Sequence, residues 1–269
     1  MKQRIITSAV ALIVLGAVLA FYQTPVLPVA VAVLAAIASY ELLHALDCLA
    51  ARSFSCLLAA CCAAIALAPQ GYLFTYAAPL STVGVSVLLI FFLRYHGRYT
   101  AERLGFAAAV SMCVALSFRC IVLMRNLHGN GGSLYALFVA LIAAWASDTG
   151  AYFAGRLFGR HKLCPRISPK KTVEGAVGGV VAAMVGQLIL NRVYVRLLGR
   201  PVALLPILII SPLLTVLSIV GDLSASVIKR DAGIKDYGNL FPGHGGVLDR
   251  FDSVLPLLPV VYLLFAHLH

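Results

Sequence analysis

The run VALLPILIISPLLTVLSIVG, residues 202–221, contains no charged side chain, and Asp222 follows it at once. An α-helix rises about 1.5 Å per residue, so roughly 20 apolar residues span the ~30 Å hydrocarbon core of a bilayer. Lipid offers no hydrogen bonds to the backbone, which leaves helices and closed barrels as the spanning forms. No alternating ten-residue barrel pattern occurs here, so the run reads as a membrane helix followed by a polar segment.

Working outward, eight further runs resemble it, at about 5–22, 26–43, 54–69, 74–93, 104–123, 133–154, 173–191 and 253–268. The Pro and Gly residues between them suit turns. Composition agrees: 61% of the 269 residues are hydrophobic and 12% charged, and the mean hydropathy is +0.96. A soluble domain of this length needs far more polar surface. The expected fold is all-α, a polytopic integral membrane helical bundle of about nine transmembrane helices. It reads as one domain, with residues 1–132 as scaffold and 133–269 carrying the chemistry. The opening MKQRIITSAVALIVLGAVLAFYQ has the basic start and apolar stretch of a signal peptide, and Val18 and Ala20 suit a cleavage site. In a polytopic chain it reads as a retained first span.

The formal net charge is +11. Basic residues flank spans on the cytoplasmic side, and an anionic substrate would add to the excess. With the N-terminus inside and the runs alternating, sixteen Lys and Arg fall inside. Only Arg125, Arg192, Arg196 and Arg200 fall outside, and Arg119 lies within a span. A cytoplasmic N-terminus is expected. No basic run is interleaved with aromatics as a nucleic-acid surface would be. The seven cysteines include no C-x-x-C pair and read as small core hydrophobes, not a zinc or disulfide framework.

Two polar segments remain, 156–172 and 221–252, both inside on this topology. The second holds Asp222, Asp231, Asp236, Asp249 and Asp252 with Lys229, Arg230, Lys235 and Arg250, a density that joining two helices does not require. Asp249 and Asp252 are spaced to share one helix face, where two carboxylates repel unless a cation lies between them or one is protonated. Oxygen ligands of this kind suit Mg²⁺, and Asp222 could complete the set. A salt-bridged helix start satisfies the same spacing equally well. Gly243, Gly245 and Gly246 bracket His244, which could donate to a phosphate or shuttle a proton, but a tight turn is the simpler reading. In RISPKKTVEGAVGG, residues 166–179, Ser168 and Pro169 read as a helix N-cap and first position. Lys170 and Lys171 would then occupy a positive helix end, a place for an anion, or else set topology. Asp148 interrupts an apolar run, where a carboxylate costs about 2.5–3.5 kcal/mol, so it should face a polar cavity or partner. Glu41 and Glu174 border spans and read as ordinary interfacial residues.

Residues 224–252, SASVIKRDAGIKDYGNLFPGHGGVLDRFD, resemble the signature of the phosphatidate cytidylyltransferases, or CDP-diacylglycerol synthases. The shared elements are Ser226, Lys229, Arg230, Lys235, Asp236, the P-G-H-G-G turn and the D-R-x-D end. Residues 147–175, SDTGAYFAGRLFGRHKLCPRISPKKTVEG, are similar to the same family. The resemblance implies transfer of CMP from CTP to phosphatidic acid, giving CDP-diacylglycerol and pyrophosphate. It further implies Mg²⁺ with a second cation, a homodimer, and a site facing the cytoplasm, which points to a bacterial inner membrane. On that reading Asp222 and Asp249 are metal ligands, with Asp252 and Asp148 as supporting catalytic carboxylates. Lys170, Lys171, Lys229, Arg230, Lys235, His244 and Arg250 are the expected contacts of the triphosphate or lipid phosphate.

Two other classes fit parts of the pattern. A proton- or ion-coupled transporter would use Asp148 and Asp222 as relays, but leaves the charge beyond the spans unexplained. A CTP-dependent polyprenol kinase would release CDP, not pyrophosphate. A CDP-alcohol phosphotransferase is disfavoured because its D-G-x-x-A-R pattern is absent.

Overall fold

The computed structural model describes residues 2–48, 52–69, 71–127, 129–199 and 202–267; Arg200 of the topology count lies outside them. The chain is mostly helical. Its elements are α1 (Lys2–Ala20), α2 (Val26–Ala45), α3 (Arg52–Leu67), α4 (Tyr72–Thr75), α5 (Ala77–Arg94), α6 (Ala101–Arg125) and α7 (Gly129–Phe158). There follow β1 (Lys162–Cys164), β2 (Ser168–Thr172), α8 (Val173–Leu198), α9 (Leu204–Asp231), α10 (Leu248–Phe251) and α11 (Leu257–His267). Among the described residues, α2, α5, α6, α7, α8 and α9 contain stretches long and apolar enough to cross a membrane, while α3 and α11 are shorter apolar helices.

Two compact units form. One comprises residues 1–123 with 232–250, the other 124–231 with 251–269. The segment 232–250 folds with the N-terminal helices.

In the first unit, α2 and α3 pack together, and Leu43, Cys48, Phe54, Leu58, Tyr99, Leu104 and Ala107 form a buried cluster. Phe54 meets Phe91 edge-on at 5.3 Å between centroids, a favoured aromatic geometry. Arg119, the charge within a span, is buried and caps α3. Its guanidinium donates to the carbonyls of Ile65 at 2.7 Å, Ala68 at 2.6 Å and Pro69 at 3.0 Å. A helix end leaves carbonyls without intrahelical donors, and here one arginine supplies them inside the apolar layer.

The second unit is organised by the antiparallel pair α7 and α8. Gly178 sits against Ala154, Gly179 against Ser147, and Gly186 against Ile142 and Ala146. Small side chains let two backbones approach closely, the usual solution in lipid, where burial of apolar surface drives no association. Val177, Val181, Val185 and Leu188 instead point outward and are exposed. Small residues inside and large apolar ones outside invert the pattern of a soluble helix and suit a lipid-facing surface. Two polar contacts fix the pair: Gln187 donates to the Val139 carbonyl at 2.8 Å, and Asn191 to the Tyr135 hydroxyl at 3.1 Å.

Several boundaries differ from expectation. The helix starting in the 202–221 run continues to Asp231, because nothing in LSASVIKRD breaks it; Gly233, at φ 68°, follows. The last run, 253–268, is helical only from Leu257, because Pro256 disfavours helical geometry at Leu255 and lacks an N–H. The fourth run divides at Tyr76 into α4 and α5. Of the cysteines, Cys48, Cys62 and Cys120 are buried, whereas Cys56, Cys61 and Cys113 are exposed on helix surfaces and not in the core. All seven thiols are free.

Candidate active site

Residues 168–172 correct one expectation. Ser168 and Pro169 do not open a helix; they lie on β2, which pairs antiparallel with β1 in the register Lys162 with Thr172 and Cys164 with Ser168. The N-cap of α8 is Thr172, extended at φ −128° and ψ 157°, whose hydroxyl accepts the Gly175 N–H at 3.1 Å. Thr172 takes that role because its β-branched side chain suits the strand end while its oxygen reaches the third helical amide. Lys170 and Lys171 are therefore strand residues ahead of the helix, and neighbours on a strand point to opposite faces. Lys170 is exposed, whereas Lys171 is half-buried and forms an ion pair with Asp222 of α9.

Glu174 fastens this hairpin. Its carboxylate accepts the N–H of Arg160 at 3.0 Å and of His161 at 3.2 Å, and it lies 2.6 Å from His161 Nδ1. Sequence reading left Glu174 as an interfacial residue. Its place in the first turn of α8, where an acid opposes the helix dipole, was the available signal.

Around the ion pair the second unit gathers Asp148, whose carboxylate lies within electrostatic reach of both Asp222 and Lys171. Asp148 itself is exposed on α7. Gly221, next to Asp222, has no room for a side chain: a Cβ there would meet the Asp252 carbonyl and the Pro256 ring. The turn carrying Asp252 thus packs directly on α9. Asp252 Oδ1 accepts the Ser253 N–H at 2.7 Å. Lys229 and Arg230 occupy the last turn of α9, where cations offset the dipole.

Lys235, His244, Asp249 and Arg250 belong to the first unit. The glycine-rich stretch is a tight turn. Pro242 and Gly243, the latter at φ 79°, occupy its central positions, and the His244 N–H returns to the Phe241 carbonyl at 2.8 Å. That is the pattern of a type II turn, which needs a glycine at its third place. Asp249 Oδ2 accepts two backbone amides, from Tyr237 at 2.7 Å and Gly246 at 3.0 Å. The shared helix face expected for Asp249 and Asp252 is not formed, because α10 is a single turn ending at Phe251 and Asp252 lies beyond it. Lys235 and Arg250 are exposed, and His244 is half-buried.

Sequence reading also passed over Glu41. It is buried in α2, and its two carboxylate oxygens accept the N–H groups of Val247 at 2.9 Å and Leu248 at 2.8 Å. A lone acid inside an apolar run was the signal, the same one that singled out Asp148.

Among the described residues, no three His, Cys, Asp or Glu side chains gather to hold a metal ion by themselves. Mg²⁺ asks less of a protein: one or two carboxylates, with water and substrate phosphate completing its shell. Asp148 and Asp222 are two carboxylates of that kind, with Lys171 beside them.

The comparisons with known proteins extend over the same elements. The model of the cytidylyltransferase family matches residues 2–268. The chain is 34% identical to the phosphatidate cytidylyltransferase of Bacillus subtilis over 99% of its own length and 98% of that protein's. It is 37% identical to the phosphatidate cytidylyltransferase of Staphylococcus saprophyticus over 66% of this chain and 67% of that one. To that of Haemophilus influenzae it is 42% identical over 49% and 46%. With a match that runs from α1 into α11, this chain belongs to the cytidylyltransferase family.

Proposed function

We propose that the protein transfers CMP from CTP to phosphatidic acid, releasing pyrophosphate and leaving CDP-diacylglycerol in the membrane. The observation that carries this reading is the Lys171–Asp222 ion pair within reach of Asp148, beside helices whose outer faces are apolar. A lipid phosphate and a water-soluble nucleotide can meet only where charged groups adjoin a lipid-facing surface.

A phosphatidate oxygen attacks the α-phosphorus of CTP. The bond from that phosphorus to the bridging oxygen breaks, and pyrophosphate departs with the electron pair. The attacking oxygen already carries charge, so no strong general base is required. Catalysis then rests on positioning and on stabilising negative charge. Bound at Asp222 and Asp148, Mg²⁺ would neutralise charge on the phosphate oxygens. Lys171 holds the Asp222 carboxylate in place and offers its ammonium to an incoming phosphate. Lys170, Lys229, Arg230, Lys235, His244 and Arg250 remain proposals for contacts with the triphosphate or the lipid phosphate. Asp249 as a second metal ligand, Asp252 as a supporting carboxylate and a second cation rest on the family resemblance alone.

The proposed setting is a bacterial inner membrane, with about nine spans, the N-terminus and site on the cytoplasmic side, and a homodimer. Purified protein incubated with labelled CTP and phosphatidic acid should yield CDP-diacylglycerol and pyrophosphate, with Mg²⁺ required. Release of CDP, or substrate movement across liposomes without nucleotide, would replace this reading with a kinase or a transporter.

A further inference from the structure

Glu41 is a carboxylic acid inside the apolar helix α2, with 5% of its surface exposed. Glu41 lies toward the C-terminal end of α2, and a carboxylate buried there must have its lost hydration replaced by contacts with the protein. Those contacts are specific. Oε1 accepts the Val247 N–H and Oε2 the Leu248 N–H, across more than two hundred residues of sequence. The preceding amide, Gly246 N–H, is taken by Asp249. Three consecutive backbone donors are thus held by two carboxylates.

The fit leaves no slack. A methyl group added at Gly238 or Gly246 would collide with the Glu41 carboxylate. Two glycines of the G-x-x-x-P-G-H-G-G stretch are therefore explained by the approach of Glu41, not by turn geometry; Gly243 and Gly245, with positive φ, serve the turn itself. The same segment carries His244 and leads into Asp249 and Arg250.

We propose that Glu41 is a positioning residue of the transfer reaction: its two carboxylate oxygens fix the 237–248 loop in the conformation that presents His244 and Asp249. This rests on the transfer reading above. Glu41 touches no reacting atom; it acts through the loop backbone, and both oxygens must be acceptors. Gln has nearly the shape of Glu but only one acceptor oxygen, whereas Asp is shorter and keeps two. An acceptor role and a packing role therefore rank the two variants in opposite orders.

The test compares Glu41→Gln and Glu41→Asp in purified full-length protein, reading CTP-dependent pyrophosphate release and amide hydrogen exchange of residues 237–250. Glu41→Gln should lose turnover on the order of tenfold or more, a typical cost of a misplaced catalytic group. Glu41→Asp should retain more activity than Glu41→Gln. Exchange should rise at Val247 and Leu248 in Glu41→Gln while that of α8 and α9 stays at the wild-type rate. Wild-type turnover in Glu41→Gln, or greater activity in Gln than in Asp, overturns the proposal. If Glu41→Gln does not fold, Gly238→Ala displaces the carboxylate without removing it, and unchanged turnover there is equally decisive. An inactive wild-type enzyme would defeat the transfer reading, whereas the exchange measurement would still report whether Glu41 holds the loop.

Discussion

Lys171, on the strand that leads into α8, is paired with Asp222 of α9, and the pair joins the two polar segments that flank the apolar helices of the second unit. A half-buried ion pair is a poor source of net stability, because desolvation opposes the Coulomb gain, but removing one partner strands the other. Its value here lies in placing a cation and a carboxylate side by side.

Lys171→Ala should therefore lower kcat/KM by roughly a hundredfold, about 2.7 kcal/mol of transition-state stabilisation. Lys170→Ala, which alters an exposed neighbour, should cost far less. Steady-state pyrophosphate release with CTP and phosphatidic acid varied separately makes the comparison. Equal, small effects at both positions would return the lysines to the role of topology markers.

Asp222→Asn should remove both the partner of Lys171 and a proposed metal ligand. The expected outcome is loss of turnover by two or more orders of magnitude with the protein still folded. Chelation by EDTA should abolish wild-type activity, and added Mg²⁺ should restore it. Activity that persists through chelation would discard the metal part of the mechanism.

Asp249→Asn distinguishes two jobs. The carboxylate accepts two backbone amides from the glycine-rich loop, and the family resemblance makes it a metal ligand. Near-complete loss of turnover is expected. If the metal role is correct, residual activity should need a higher Mg²⁺ concentration; a loop-holding role alone leaves the Mg²⁺ dependence unchanged.

Gly178→Leu should destabilise the second unit, because a side chain there meets Ala154 of α7. Forcing added volume into a close-packed contact typically costs about 1–3 kcal/mol. Thermal unfolding in detergent should show the shift, and a control change at outward-facing Val181 should not.

The helical class and nearly every apolar run were legible from sequence, because a span must be long and oily whatever it packs against. Asp148, Lys171 and Asp222, which stood out in the sequence as charges among apolar runs, are brought near one another by the second unit. The start of α8 was misplaced because Ser168-Pro169 and Thr172 each satisfy the local rules for a helix start. Pairing with Lys162–Cys164 in a hairpin, which draws 168–172 into a strand, decides for Thr172. Glu174 and Glu41 were passed over for a related reason. An acid near a span end looks interfacial until its acceptors are seen to meet particular amides.

Composition and periodicity alone determined that this chain is a set of apolar helices interrupted by two charge-rich polar segments, since the bilayer's thickness and lack of hydrogen bonds act on each run independently of the others. Which acid meets which lysine, and which carboxylate ties down the glycine turn, was decided only by tertiary structure. Those pairings join residues far apart along the chain, and their geometry depends on how closely the helices that carry them can approach.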